Sequence, residues 1–210
     1  MTAQQIYQGL LSGLANMSWT EALVVVLALI SVLFARANSI WLYPTGIAGI
    51  LLSISIFIGA AYKLYPDAAL NVYYLVMSIY GWYFWSKKNE AAEHSPITYC
   101  NRKEYITAVG LFIVLWAGLY WWLSTYRINN VPLMDSFTSS MAAAGMWLLA
   151  KRKIENWIAL LIADFVSIGL FFYKQLLLFS LLNVFYVGIA ILGYLAWKKQ
   201  IAKQHSPLSS

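Results

Sequence analysis

One stretch of this chain occurs twice. Residues 71–88 read NVYYLVMSIYGWYFWSKK, and residues 183–199 read NVFYVGIAILGYLAWKK, so that Asn, Val, Tyr, Gly, Trp and Lys recur at the same offset of 112 positions (183 − 71). Both copies are apolar and long enough to cross a bilayer as helices. A duplicated apolar unit restricts the fold to two similar helix bundles that face each other.

The composition agrees with a chain that lies in a membrane. Of the 210 residues, 61% are hydrophobic and 10% are charged, and the mean hydropathy is +0.66. A water-soluble protein of this length needs far more charge. The sequence therefore predicts an all-α integral membrane protein. The single cysteine, Cys100, and the two histidines, His94 and His205, lie in polar segments, so we expect no catalytic residue, no metal site and no cofactor.

Seven membrane spans are predicted, at about 19–35, 40–62, 67–86, 105–126, 132–150, 155–173 and 176–197. The repeat divides the chain into a first three-helix bundle (19–86), a linker helix (105–126) and a second three-helix bundle (132–199). A polar N-terminal segment (1–18), a solvated cytoplasmic loop (87–104) and a cytoplasmic tail (200–210) complete it. Because one linker helix leaves both bundles in the same orientation, the arrangement is a parallel repeat of three plus one plus three helices.

The basic residues lie mostly on one side of these spans. Since cytoplasmic loops retain Lys and Arg, that side is predicted to be the cytoplasm, with the N-terminus outside and the C-terminus inside. This orientation accounts for the net charge of +6, and no nucleic-acid partner is expected. On the basic side are Arg36, Lys87, Lys88, Arg102, Lys103, Lys151, Arg152, Lys153, Lys198, Lys199 and Lys203; on the other are Lys63, Arg127 and Lys174.

A second set of matches extends the repeat. Residues 34–36 align with residues 149–151, and Trp41 aligns with Trp157, at the start of the second and sixth spans. Trp85 and Trp197 stand beside paired lysines, a position typical of aromatic anchors at the membrane surface. We therefore predict that both are interfacial.

Asp164 is the most unusual residue inside a predicted span. A carboxylate at mid-span costs about 2.5–3.5 kcal/mol on insertion scales, so it normally faces a cavity or a partner. Trp157, Asp164 and Ser167 are spaced to share one helix face. A carboxylate beside an indole suits a flat, cationic ring. A purely structural role in helix packing is the alternative.

Other polar residues repeat with the halves. The third span carries Asn71, Tyr74 and Trp82, and the seventh carries Asn183 and Tyr186. Buried amides need partners, which are either a ligand or a neighbouring helix. The candidate substrate-binding residues are Asp164, Trp157, Asn71, Tyr74, Asn183, Tyr186, Ser167, Trp41 and Trp82.

Several motifs resemble one known family. They are SIYGWYFW at 78–85, similar to the family pattern YGWxxW; DSFT at 135–138; LLAKRKIENW at 148–157; and Tyr173-Lys174 before the last span. Over residues 19–199 the chain resembles the PnuC family of bacterial vitamin transporters. The resemblance implies a fold similar to the SWEET sugar transporters and a homotrimer in the bacterial inner membrane. It also implies facilitated diffusion. A cytoplasmic kinase, which has no evident direct contact with the transporter, would trap the product by phosphorylation.

The chain departs from the family pattern at the expected ligand positions. Of the WxxWxxxN pattern in the sixth span, Trp157 matches, whereas Leu160 and Asp164 replace the second aromatic residue and the amide, and Asn71 stands where the family often has Gln. Family members take up nicotinamide riboside, and relatives take up thiamine or riboflavin. The first two carry a ring cation that suits Asp164, and the departures favour thiamine.

We therefore expect a membrane transporter that takes up a cationic vitamin, nicotinamide riboside or thiamine, by alternating access in the lipid bilayer. Three alternatives stay open. A proton-coupled carrier would use Asp164 as its proton site, a receptor or scaffold would bind without transport, and a sugar carrier would have no obvious use for that carboxylate. An enzyme is not expected.

Overall fold

The computed structural model describes residues 3–58, 65–87, 96–126 and 130–205, and in these ranges the chain is helical apart from its connections. The helices are α1 (Ala3–Ala15), α2 (Trp19–Arg36), α3 (Leu42–Ile58), α4 (Tyr65–Ser86), α5 (Arg102–Thr125), α6 (Pro132–Ala150), α7 (Asn156–Tyr173) and α8 (Leu177–His205).

Helices α2–α8 follow the seven predicted spans in order. Residues 59–62 of the second span and 88–95 of the loop lie outside the described ranges. Two differences stand out. The segment predicted only as polar contains α1, which packs on α8 where Gly9 and Gly13 face Leu177 and Leu178. Helix α8 continues past 197 to His205, because no Gly or Pro follows Trp197 until residue 207.

Local sequence signals fix two of the helix starts. Ser18 accepts a hydrogen bond from the Glu21 amide, and the Glu21 carboxylate accepts one from the Ser18 amide, which forms a capping box before α2. Asn101 and Glu104 form the same arrangement before α5. Both capping boxes satisfy amides that have no partner in the first helical turn.

The helices pack as two consecutive triplets. In the first half, α3 packs between α2 and α4, and in the second half, α7 packs between α6 and α8. The halves meet along two seams, α4 against α6 and α2 against α8. Helix α5 packs mainly on α6. Each seam joins the third helix of one half to the first helix of the other, as expected for a parallel repeat.

The repeat is visible at the level of single hydrogen bonds. In the first half the amides of residues 38, 39 and 43 donate to the carbonyls of 35, 34 and 40; in the second half those of 152, 153 and 157 donate to 149, 148 and 154. Asn38 and Arg152 occupy the same left-handed conformation, at φ 55° and 54°. All these pairs are separated by 114 positions (152 − 38).

This register corrects two alignments made from the sequence. The match of residues 34–36 to 149–151 is wrong by one position, since Ala35 corresponds to Leu149. The match of Trp41 to Trp157 is also wrong, because Tyr43 occupies the place equivalent to Trp157. Tyr43 packs on Gly81 as Trp157 packs on Gly193, and these glycines are themselves a repeat pair.

Four of the described helices, α2, α5, α7 and α8, are each long and apolar enough to cross a membrane, and α3 is a shorter apolar helix. Helices α4 and α6 span 22 and 19 residues and carry more polar side chains. In α6 these are Ser136, Thr138 and Ser140, which are buried inside the bundle. Their burial explains how a less apolar helix fits among apolar neighbours.

Candidate functional site

A cavity of about 340 Å³ lies between the two halves. This volume is in the range of small-molecule sites in proteins. Its walls are mostly apolar, and polar groups come from few positions. The residues that line it are Val24, Ala28, Ser31, Val32, Ala35, Leu42, Gly46, Gly49, Ile50, Ser53, Asn71, Tyr74, Ser78, Ala142, Met146, Leu149, Trp157, Leu160, Asp164, Tyr186 and Ala190.

The lining follows the repeat. Tyr74 and Tyr186 face the cavity from α4 and α8 at the offset of 112 positions, and Ser78 and Ala190 form a second such pair. From α2 and α6, Ala28 and Ala142, Val32 and Met146, and Ala35 and Leu149 are paired at an offset of 114 (149 − 35). The cavity therefore lies on the pseudo-symmetry axis, where neither half alone could enclose a ligand.

Charge breaks the symmetry of this cavity. Among the residues that the structure describes, Asp164 of α7 is the one acidic residue that lines it, and its counterpart in α3, 114 positions earlier, is Ile50, which also lines it. Within the described ranges, no Lys, Arg or His contributes to the walls, and Asp164 makes no hydrogen bond or ion pair. A carboxylate held among apolar walls without a protein counter-charge favours a cationic occupant.

Trp157 forms part of the cavity floor. Its side chain is 1% exposed, and its buried indole nitrogen has no hydrogen-bond partner among the described residues. Buried indole N–H groups usually have an acceptor. Its neighbour Leu160 also lines the cavity and packs on Gly145 of α6. The floor therefore offers an aromatic surface and one unused donor within a mainly apolar wall.

The cavity is closed at the end where α2, α4 and α6 finish, which we call the basic end because Arg36, Lys87 and Lys151 lie there. Trp85 and Trp197 are fully buried at this end, with ring centroids 6.1 Å apart. The prediction that these two tryptophans are interfacial anchors is wrong. Both belong to one buried cluster with Ala35, Leu42, Leu149, Trp157 and Ala190, all of which also line the cavity.

The loop before α5 contributes to this closure. Ile97 is 1% exposed within the same buried cluster, and Thr98 exchanges backbone hydrogen bonds with Arg152 and Ile154 at 3.2 and 3.1 Å. Lys153 adds a side-chain hydrogen bond to Thr98 and an ion pair with Glu104. Residues 96–100 are therefore docked on the second half, and the expectation of a fully solvated loop is wrong for this part.

At the opposite end a second cavity, of about 570 Å³, adjoins the first. Val24 and Ser53 line both cavities, so the two cavities share part of their walls. Helix α1 and Glu21 line the outer cavity as well. Asp135, at the start of α6, is held by Lys174 at 2.6 Å in an ion pair. Buried side chains thus bound the central cavity at the basic end, and the outer cavity adjoins it at the other end.

Five of the nine sequence-predicted residues line the central cavity: Asp164, Trp157, Asn71, Tyr74 and Tyr186. The other four do not. Trp41 and Trp82 are 61% and 41% exposed. Ser167 and Asn183 are buried on the cavity-bearing helices but outside the walls, and the Asn183 amide donates to the Phe179 carbonyl at 2.8 Å.

Sequence reasoning missed the contributions of small residues. Gly46 and Gly49 of α3 line the cavity because they have no side chain to fill it. Gly46 also lets α3 approach Ser31 of α2, whose hydroxyl donates to the Leu42 carbonyl at 2.8 Å. Their spacing on one face of the second span was the signal available in the sequence.

Comparison with known proteins identifies relatives along nearly the whole chain. The model of a family described as nicotinamide mononucleotide transporter matches residues 18–199. The nicotinamide riboside transporter PnuC of Escherichia coli K12 is 23% identical over 207 residues, covering 87% of this chain and 86% of the relative. The riboflavin/roseoflavin transporter RibM of Streptomyces davaonensis is 22% identical over 196 residues, covering 90% and 89%.

One solved structure, described as the crystal structure of the vitamin B3 transporter PnuC, is similar in fold. The TM-score is 0.68 at 21% sequence identity, over 97% of this chain and 90% of that chain.

Proposed function

The chain belongs to the nicotinamide mononucleotide transporter family, the family of PnuC, and on this premise we propose that it carries a cationic vitamin, nicotinamide riboside or thiamine, across the membrane. The observation that carries the proposal is Asp164, a carboxylate that has no counter-charge from the described part of the chain, in a cavity formed by both halves. Placed there, the ring cation of either vitamin would neutralise the carboxylate and lie near the Trp157 indole.

The same wall argues against phosphorylated substrates. Phosphate groups are normally bound by Arg, Lys or helix N-termini. Within the described ranges the cavity presents none of these basic side chains, and the Asp164 carboxylate would repel a phosphate. We therefore assign the unphosphorylated nucleoside, rather than the mononucleotide of the family's name, to this cavity.

Two features favour thiamine over nicotinamide riboside. Where the family pattern has an amide that can donate a hydrogen bond, this chain has the full negative charge of Asp164. Where the pattern has a second aromatic ring that could stack on the ligand, this chain has the aliphatic side chain of Leu160. Riboflavin, the substrate in the name of RibM, is neutral and larger, and it makes the least use of Asp164.

The transport cycle proposed here is facilitated diffusion through alternating access. Seven spans, in the three-plus-one-plus-three arrangement similar to SWEET proteins, enclose one pathway per protomer of a homotrimer in the inner membrane. The basic end faces the cytoplasm, where a kinase traps the product. The basic residues at that end support this orientation. The cavity between the two halves, which adjoins an outer cavity at the opposite end, supports alternating access.

A proton-coupled carrier is the second candidate, because Asp164 has no hydrogen-bonding or ionic partner among the described residues and could exchange a proton with the substrate site. The two mechanisms separate in liposomes. Uptake that does not change with an imposed pH gradient supports facilitated diffusion, whereas uptake that follows the gradient supports coupling.

A binding panel tests the proposed function. Purified protein is titrated calorimetrically with thiamine, nicotinamide riboside, riboflavin and nicotinamide mononucleotide, and the ligands that bind are tested for flux into liposomes. We expect the two cations to bind and to be transported, and the mononucleotide not to bind. Tight binding of the mononucleotide, or binding of a cation without flux, would contradict the proposal.

A further inference from the structure

The two halves are tied together at the basic end by a reciprocal pair of hydrogen bonds. The Trp85 indole of α4 donates to the Leu149 carbonyl at the end of α6, at 3.3 Å. The Trp197 indole of α8 donates to the Ala35 carbonyl at the end of α2, at 3.0 Å. Each of these carbonyls also accepts a backbone hydrogen bond, Ala35 from the Asn38 amide and Leu149 from the Arg152 amide, and a carbonyl has a second lone pair that can accept the indole N–H. Donors and acceptors both follow the sequence repeat.

Each of these tryptophans is fixed within its own half. Trp85 packs edge-on against Tyr43, with ring centroids 5.3 Å apart, and Trp197 packs edge-on against Trp157 at 5.7 Å. Gly81 allows Tyr43 to pack directly on α4. Gly193 does the same for Trp157 on α8, where an added Cβ would lie 2.6 Å from the ring. The aromatic pair of each half is therefore a tightly packed unit.

The plane that separates the two halves at this end lies between the two units. Across it, Trp85 and Trp197 meet at 6.1 Å, and the Arg152 guanidinium of the second half stacks over the Trp85 ring at 4.0 Å. All three side chains are buried. Since Trp157 is also the cavity floor, a molecule in the cavity meets this plane before it reaches the basic end.

We propose that Trp85 and Trp197 form the inner gate of the carrier, and that the gate opens only when both cross-half hydrogen bonds break together. The inference rests on the proposed function. Each bond joins the third helix of one half to the first helix of the other, so a rocking motion that lengthens one bond lengthens its symmetry mate. The gate parts between the aromatic pairs, while Tyr43 moves with Trp85 and Trp157 with Trp197.

A reversible cross-link tests whether the halves must part at this end. Asn38, in the α2–α3 turn, donates to Gln200 of α8 at 3.1 Å, so this contact also joins the two halves. In a Cys100→Ala background, Asn38→Cys and Gln200→Cys are joined with a short, cleavable bifunctional thiol reagent. We expect binding of thiamine or nicotinamide riboside to persist, and flux into liposomes to fall at least tenfold and to recover after cleavage.

The matched control is a cross-link that does not join the halves. Thr98 and Lys153 also touch through their side chains, at 2.9 Å, but the loop that carries Thr98 is docked on the second half. Thr98→Cys with Lys153→Cys, treated with the same reagent, is expected to transport at the untreated rate. If the Asn38–Gln200 cross-link leaves flux unchanged, the gate is refuted although the proposed function stands. If the untreated protein neither binds nor transports either cation, the proposed function fails instead.

A second test removes only the hydrogen bonds. Trp85→Phe with Trp197→Phe keeps an aromatic ring at each position but removes both N–H donors. In the same Cys100→Ala background, Ala190→Cys at the cavity floor then reports opening through its reaction with a charged, membrane-impermeant maleimide applied at the basic end. In protein that still binds ligand, we expect labelling to be at least about fivefold faster than with the tryptophans present. An unchanged labelling rate would overturn the inference.

Discussion

Asp164→Asn is the substitution that most directly tests how the cavity selects its ligand. It keeps the side chain's size and removes its charge. Because Asp164 makes no hydrogen bond or ion pair among the described residues, the substitution leaves no protein partner unsatisfied. The main effect should therefore fall on the ligand, and not on the folded protein.

The size of the effect follows from the charge pair. Two unit charges 4 Å apart attract with about 4 kcal/mol at an effective dielectric constant of about 20. Removing water from the carboxylate and from the ligand reduces this, and hydrogen bonds to charged groups contribute about 1.5–3 kcal/mol. Cation affinity should thus fall about tenfold to 150-fold. Nicotinamide riboside should lose less than thiamine, because the new Asn amide can hydrogen-bond its carboxamide.

Isothermal titration calorimetry measures both affinities, with neutral nicotinamide as the comparison ligand. Its affinity should change little, because it carries no ring charge. Ser167→Ala is the matched control, since Ser167 is buried on the same helix but outside the cavity wall, and it should leave all affinities unchanged. If Asp164→Asn weakened nicotinamide as much as the cations, or left the cations unaffected, the electrostatic reasoning would be refuted.

Three further outcomes follow from the structure. Gly193→Ala should destabilise the protein by about 1–3 kcal/mol in thermal unfolding, because its Cβ would lie 2.6 Å from the Trp157 ring, whereas Gly110→Ala, which meets nothing within 4 Å, should stabilise by up to about 1 kcal/mol. Equal changes in stability for the two variants would contradict the close packing of the Trp157 ring on Gly193. Trp157→Phe should weaken cation binding about two- to fivefold, since indole is the stronger cation–π partner, and unchanged affinity would place the ligand elsewhere. Burial raises the pKa of the Cys100 thiol to about 12, so iodoacetamide at pH 8 should label the native protein more than about a hundredfold slower than the unfolded chain; similar rates would contradict that burial.

Helices α2–α8 were predictable because each is marked by its own apolar run and by breaks at its ends, whereas α1, in a segment predicted only as polar, was missed. Helices α2 and α6 begin at Trp19 and Pro132, where the predicted spans begin or nearly so. The repeat register was harder, since apolar residues around Ala35 and Leu149 match almost equally well one position apart. Only the paired turn hydrogen bonds distinguish the two alignments.

A site residue was predictable from the sequence where its type is rare inside a membrane span, and it was not predictable where its type is common there. Asp164 stands out because a mid-span carboxylate is costly. Tryptophan gives no such signal, because the same residue beside lysines can lie at the membrane surface or inside the bundle. Trp85 and Trp197 are buried, whereas Trp41 is exposed, and the difference depends on which side of each helix faces the other half. That information is in the packing and not in the local sequence.

The difference between Asp164 and Ile50 has a consequence for ancestry. A pair of identical three-helix subunits related by a twofold axis would place either two acids or none around their shared cavity. Two carboxylates there would repel each other and call for a doubly charged cargo. In a single polypeptide the two halves can differ, so one negative group can stand on one side alone, and under the proposed function this would suit one monovalent cation bound in a single orientation.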